Sequence, residues 1–120
     1  VLSGGDEGAL KVWDLRVGTA SAIHTFQHTF QAGVTVIAPH PRRDHLVACG
    51  SYDETVALFD LRSVSQSKPK PLCHSEPLGG GMWRMKWHPL DADRLLLGAL
   101  HGGCRVVKLN GMEPLKNIES

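Results

Sequence analysis

The chain carries SGGDEGALKVWDLR at residues 3–16 and CGSYDETVALFDLR at residues 49–62, and the two superimpose without a gap when WDLR is laid on FDLR. At that offset of 46 residues Gly4 falls on Gly50, Leu10 on Val56, Val12 on Leu58 and Trp13 on Phe59. A third copy, LGALHGGCRVVKLN at residues 97–110, follows at a further offset of 48, with Gly98 on Gly50 and Val107 on Phe59; it has lost the aromatic residue and the acid. A second landmark keeps the same distance: APHPRRDHLVACGS aligns with KWHPLDADRLLLGA, which puts His40-Pro41 on His88-Pro89. Two independent landmarks at one period mark an internal repeat, and a repeat of this length builds a fold from stacked copies of one supersecondary unit.

Each unit reads as short strands separated by turns. The runs are GVTVIA (33–38), HLVACGS (45–51), TVALFDL (55–61) and a weaker one near PLCHS, and the next unit offers GMWRMKW, RLLLGAL and GCRVVKL in the same roles. β-Branched and aromatic residues fill the runs, Gly, Pro, Asp and Ser punctuate them, and helical periodicity is absent. About four strands per unit of this length is the pattern of a β-propeller blade.

Composition narrows the function classes. Thirteen basic and 12 acidic residues give a net charge of +1, and the basic residues are scattered, so no nucleic-acid footprint is expected. No apolar run approaches the roughly 20 residues of a membrane span, and no membrane association is expected. Three cysteines, Cys49, Cys73 and Cys104, odd in number and far apart, suit free thiols in a reducing compartment and hence a cytoplasmic location. The start at Val1 without a Met and the unpatterned ending GMEPLKNIES lead us to expect a piece of a longer ring.

SGGDEGALKVWD and CGSYDETVALFD resemble the third-strand signature of WD40 repeats. That resemblance implies an all-β fold, a partial WD40 β-propeller of about two and a half four-stranded antiparallel blades. Residues 1–110 form it, with 1–16 the end of one blade, 17–62 a full blade and 63–110 most of a further, degenerate one; residues 111–120 are expected to be an irregular tail. Within this large family, the order and spacing of SGGDEGALKVWDLR, GVTVIAPHP, LVACGSYDETVALFDLR and GGGMWRMKWHP (79–89) are similar to the diphthine methylesterases of diphthamide biosynthesis. GGGMWRMKWHP is the most particular of these, since ordinary blades carry Val-x-x-Val-x-Phe-x-Pro there. The resemblance implies a carboxylic ester hydrolase that removes the methyl ester of the diphthine intermediate on a histidine of translation elongation factor 2. That factor is the implied protein partner, and no cofactor is implied. A non-catalytic WD40 interaction scaffold is the alternative.

The residues can be weighed singly. WD40 blades commonly pair an Asp six residues before the Trp with a His at the blade entry, which selects Asp53 and His28 here as a structural pair. Glu7 and His101 hold the place of Asp53 in the other two units. Ester hydrolysis needs an activated nucleophile and oxyanion donors, yet there is no Gly-x-Ser-x-Gly elbow. Seven histidines offer general bases, His88 and His40 among them, but their recurrence at one loop position favours a turn role, and none shows zinc spacing. The run containing Gly80 and Gly81 could present backbone amides to an anion or simply lead into a strand. Strand alternation sets Trp83, Met85 and Trp87 on one face, as blade core or as an aromatic site for diphthine's trimethylammonium group, with Arg84 on the opposite face toward the substrate.

Overall fold

The computed structural model describes residues 2–13, 24–26, 30–62, 71–75, 77–91, 93–100, 103–108 and 116–118. Their strands form three antiparallel sheets. The first is β1 (Leu2–Gly4), β2 (Leu10–Val12) and β3 (His24–Phe26), in that order. The second is β4 (Val34–Pro39), β5 (Leu46–Ser51), β6 (Val56–Asp60) and β7 (Cys73–His74). The third is β8 (Met82–Trp87), β9 (Arg94–Ala99), β10 (Gly103–Lys108) and β11 (Lys116–Ile118). One three-stranded and two four-stranded meanders match the blade pattern expected from the repeat.

The sheets divide the chain one strand later than the repeat unit does. His24–Phe26 pairs back onto β2, Val12 opposite His24, and so closes the first sheet. Lys116–Ile118 pairs with β10, Val106 opposite Ile118, so the terminal segment holds a strand where an irregular tail was expected. Both are outer strands, whose short and mixed sequences carry little alternation to read.

The three sheets stack in chain order with one apolar core in each gap. Leu10, Phe26 and Phe30 meet Val47, Cys49, Ala57 and Phe59 between the first and second sheets. Ala38, Leu46, Ala48, Val56 and Leu58 meet Met82, Trp87, Leu95, Leu97 and Val107 between the second and third. The middle sheet is therefore covered on both faces, and every residue of β5 and β6 is buried. That is why LVACGS and VALFD read as continuous apolar runs instead of alternating.

Close approach between sheets depends on glycine at one repeat position. A methyl on Gly4 would lie 2.5 Å from Val34 Cβ, and one on Gly50 would lie 2.6 Å from Met82 Cβ, so the next sheet's first strand packs directly on the backbone. Hydrogen bonds fasten the second gap: Trp87 Nε1 donates to Ala38 O at 2.8 Å, Thr35 Oγ1 donates to Met82 O at 2.6 Å, and Arg42 Nη2 donates to Pro89 O at 2.9 Å. The outward face of the third sheet is mixed rather than apolar, with Leu96, 45% exposed, standing among the exposed Arg84, Lys86 and Arg94.

Candidate functional site

The first strand of the third sheet departs from simple alternation. Met82 pairs with Ala99 and Arg84 with Gly98, so two residues advance against one and Trp83 occupies a β-bulge. The extra residue resets the pleat. Met82, Met85 and Trp87 then face the core, while Trp83 and Arg84 turn out together over Gly98, where a methyl would meet Trp83 Cδ1 at 3.8 Å and Arg84 Cβ at 3.9 Å. The shared face expected for Trp83 and Trp87 is therefore broken. Trp87 is 7% exposed, hydrogen-bonded to Ala38 O and packed on His40 with ring centroids 4.5 Å apart. Trp83 is 62% exposed and, with Val36, Arg84 and Met85, lines an open groove of about 360 Å³ at the seam between β4 and β8.

The second sheet carries the same irregularity 48 residues earlier, between Val34 and Val36. There the bulged residue is Thr35, whose hydroxyl clamps the two sheets through Met82 O and Gly50 O. The repeat thus builds a bulge at this position, and the third sheet fills it with an indole instead of a clamp. No alternation rule finds this; the sequence shows only that Thr35 and Trp83 fall on one another at the 48-residue offset.

The glycine run lies at the entry of β8. Gly79 is exposed with φ of 92°, in the left-handed region that glycine adopts freely, whereas Gly80 and Gly81 are buried. Gly81 O accepts from Leu100 N at 2.8 Å, and a methyl on Gly81 would come within 3.1 Å of Tyr52 Cδ2. Tyr52 itself, 63% exposed, is a large aromatic at this end of the strands that sequence reading did not single out.

Asp53 organises the adjacent turn. Its carboxylate accepts from Gln31 N at 2.9 Å, from Thr55 N at 3.0 Å and from the Thr55 hydroxyl, while Asp53 N donates to Ser51 Oγ at 3.1 Å. Partial burial alone would raise its pKa, and the hydrogen bonds from Thr55, Gln31 and Ser51 more than offset that and hold it below the usual carboxylate value. His74 Nε2 lies 2.8 Å from Thr55 Oγ1, which links a histidine of the outer strand to this carboxylate through one hydroxyl. His28, the partner expected for Asp53, lies outside the described residues.

His40 and His88 repeat one another in detail. His40 Nδ1 accepts from Arg42 N and Arg43 N, both at 3.0 Å, and His88 Nδ1 accepts from Leu90 N at 3.0 Å and Asp91 N at 2.8 Å. Each ring caps the turn after its own strand, with its ring proton left to Nε2. Both turns sit at the opposite end of the strands from Gly79–Gly81; β8 alone, at roughly 3.3 Å per residue, separates His88 from that run by about 20 Å.

One polar pair changes in concert along the repeat. In the first sheet Trp13 Nε1 donates to Ser3 Oγ at 2.8 Å. The equivalent positions are Cys49 and Phe59 in the second sheet and Leu97 and Val107 in the third, all with no exposed surface. Donor and acceptor are lost together, so neither is left unsatisfied in the core. Burial pushes the Cys49 thiol up to about 12, which makes it an inert core residue. Among the described residues no cluster of three or more His, Cys, Asp or Glu could hold a metal ion.

Stacked antiparallel meanders with glycine-mediated contacts between the sheets make this chain part of a β-propeller, and the family model for the WD domain, G-beta repeat, matches residues 20–60. Among curated proteins the chain is similar to diphthine methyltransferase of Homo sapiens, 41% identical over 89% of this chain and 22% of the relative. It is likewise similar to the diphthine methyltransferase homolog of Dictyostelium discoideum, 36% identical over 89% of this chain and 30% of that protein. The chain thus spans less than a third of either relative. Among solved structures it superimposes on the Cps50 (Swd1) β-propeller domain of Myceliophteria thermophila with a TM-score of 0.76 and 15% identity, covering 98% of this chain and 32% of that one. A chain of the mitotic checkpoint complex gives a TM-score of 0.78 at 16% identity, covering 98% and 34%. At these identities the structural matches speak for the fold alone.

Proposed function

We propose that the chain is part of a diphthine methylesterase that hydrolyses the methyl ester of the diphthine intermediate on a histidine of translation elongation factor 2. The observation that carries this reading is the 36–41% identity, over 89% of the chain, to proteins named diphthine methyltransferase, and the hydrolytic step comes from the resemblance of GGGMWRMKWHP and its neighbouring motifs to the methylesterases. In the reaction, water adds to the ester carbonyl, the C–O bond to the methoxy group breaks, methanol leaves, and a carboxylate remains on the modified histidine with release of one proton. The substrate is a protein of the translation machinery, which places the work in the cytoplasm.

The bulge supports a substrate-contact role for Trp83 and Arg84. An exposed indole face attracts a quaternary ammonium through its ring quadrupole, by about 0.5–2 kcal/mol depending on desolvation. The neighbouring guanidinium suits the ester carbonyl and then the carboxylate product, whose negative charge appears only as the reaction proceeds. Gly80 and Gly81 shape the loop beside them. Trp87 belongs to the sheet-to-sheet core, and His40 and His88 serve as turn caps, because Nδ1 of each is already engaged. A second reading, a non-catalytic interaction platform, is favoured by the exposed Tyr52 and Trp83, which suit a protein partner as well as a small group. Incubating the protein with methyl-esterified elongation factor 2 separates the two: loss of one methyl by mass supports the esterase, and a stable complex with the ester intact supports the platform.

A further inference from the structure

Arg105 on β10 holds its Nε buried, with no hydrogen-bond partner. The ion pairs formed among the described residues are Glu7–Lys11, Arg43–Asp93, Asp60–Arg62 and Asp91–Arg94, and none includes Arg105. An arginine Nε–H drawn out of water without an acceptor is costly, and folds rarely leave such a group unanswered.

The repeat identifies what is missing. Arg105 aligns with Ala57 and with Lys11. Lys11 Nζ lies 3.2 Å from the Glu7 carboxylate, which it holds below its usual pKa by hydrogen bonding. In the third unit the place of Glu7 is taken by His101. This blade has kept the cation and lost its acid.

The guanidinium also points to where an acid could come from outside. A methyl on Gly79 would lie 3.6 Å from Arg105 Nη2, so the fork lies just under the glycine run, and Gly79 is exposed and brings no side chain of its own. The backbone bonds at this loop run from Leu78 N to Glu54 O and from Leu100 N to Gly81 O; the amides of Gly79 and Gly80 take no backbone partner among the described residues.

We propose that Arg105 and the Gly79–Gly80 backbone form a binding site for a carboxylate. One fixed positive charge beside neutral amides balances the single negative charge of a carboxylate, which the guanidinium fork takes in bidentate fashion, and leaves half the charge of a phosphate dianion unanswered. The inference stands on Arg105 and is independent of the ester reading.

The test is a titration of the uniformly ¹⁵N-labelled protein with sodium acetate at constant ionic strength set by chloride. The Arg105 Nε–H resonance, identified by its loss in Arg105→Lys, should shift saturably with acetate and far less with inorganic phosphate. In Arg105→Lys the Gly79 and Gly80 amide shifts should persist with affinity about threefold or more weaker, since the bidentate fork is lost. In Arg105→Gln the saturable amide response should vanish, and if that variant does not fold, Arg105→Lys alone decides. A non-saturating response equal to that of chloride, or an amide response unchanged in Arg105→Lys, would overturn the proposal. A second arm finds the source: an acetylated Glu-Gly-Glu amide binding about tenfold tighter than acetate, or about 1.4 kcal/mol, assigns the site to an acidic segment of a protein. Equal affinity per carboxylate assigns it to a small molecule.

Discussion

Trp83 and Trp87 are the same residue type four positions apart on one strand, and the bulge between Met82 and Arg84 gives them opposite roles. Replacing each by alanine should therefore give opposite results. Trp87 is 7% exposed, packs on His40 and donates to Ala38 O across the gap between the second and third sheets. Truncating a buried Trp costs about 3–5 kcal/mol. Leaving the Ala38 carbonyl without its donor adds to this, so about 4 kcal/mol is a conservative expectation. With a urea dependence of about 2 kcal/mol per molar, the unfolding midpoint of Trp87→Ala should fall by about 2 M. Trp83 is 62% exposed and makes no hydrogen bond with the described residues, so Trp83→Ala should stay within about 0.5 kcal/mol of the parent. The assay is urea denaturation followed by far-ultraviolet circular dichroism, with turnover of the methylated elongation factor measured on each folded variant. Equal destabilisation by the two substitutions would refute the bulge geometry. Unchanged turnover in a folded Trp83→Ala protein would refute the contact role.

Three further outcomes follow from the packing and the polar contacts. Cys49→Ser should cost about 1–3 kcal/mol by burying an unpaired hydroxyl, and Phe59→Trp should cost about as much by overpacking; the double variant recreates the Ser3–Trp13 bond. It should recover at least about 1 kcal/mol relative to the sum, and strict additivity in urea denaturation would contradict the paired-loss reading. Gly50→Ala should destabilise by about 1–3 kcal/mol, because its methyl would lie 2.6 Å from Met82 Cβ across the sheet gap; a neutral effect on the midpoint would contradict that close approach. The Asp53 pKa is lowered in the fold, so its contribution is present above the unfolded value of about 3.9 and lost as pH falls through the lower folded value. Asp53→Asn should therefore flatten the fall in stability measured between about pH 5 and pH 2, and an unchanged slope would count against the hydrogen bonds from Thr55 and Gln31.

The repeat made the central strands readable, because the period carried the glycines at 4 and 50, the apolar runs of β5 and β6, and the paired His-Pro turns. Their recurrence favours a turn role for His40 and His88, and it took the structure to show that each Nδ1 accepts from two backbone amides of its turn. The outer strands were harder: β3 joins the preceding sheet and β11 pairs with β10 through contacts that no local pattern encodes. Trp83 was misplaced onto the core face because alternation assumes an unbroken pleat, and a single inserted residue inverts everything before it. His74 and Arg105 escaped notice for a different reason, since their significance lies in what surrounds them in space. For His74 that is the Thr55 hydroxyl, 2.8 Å away, and for Arg105 it is the missing acceptor.

The measurement that bears most directly on function is the mass of elongation factor 2 carrying the methyl-esterified diphthine intermediate, before and after incubation with the protein. The expected result is conversion of the ester to the carboxylate with release of methanol, slowed in a folded Trp83→Ala variant and unaffected by Leu90→Ala, an exposed change away from the bulge. Retention of the ester at all protein concentrations, with a stable complex still formed, would contradict the esterase assignment and leave the propeller as a binding platform.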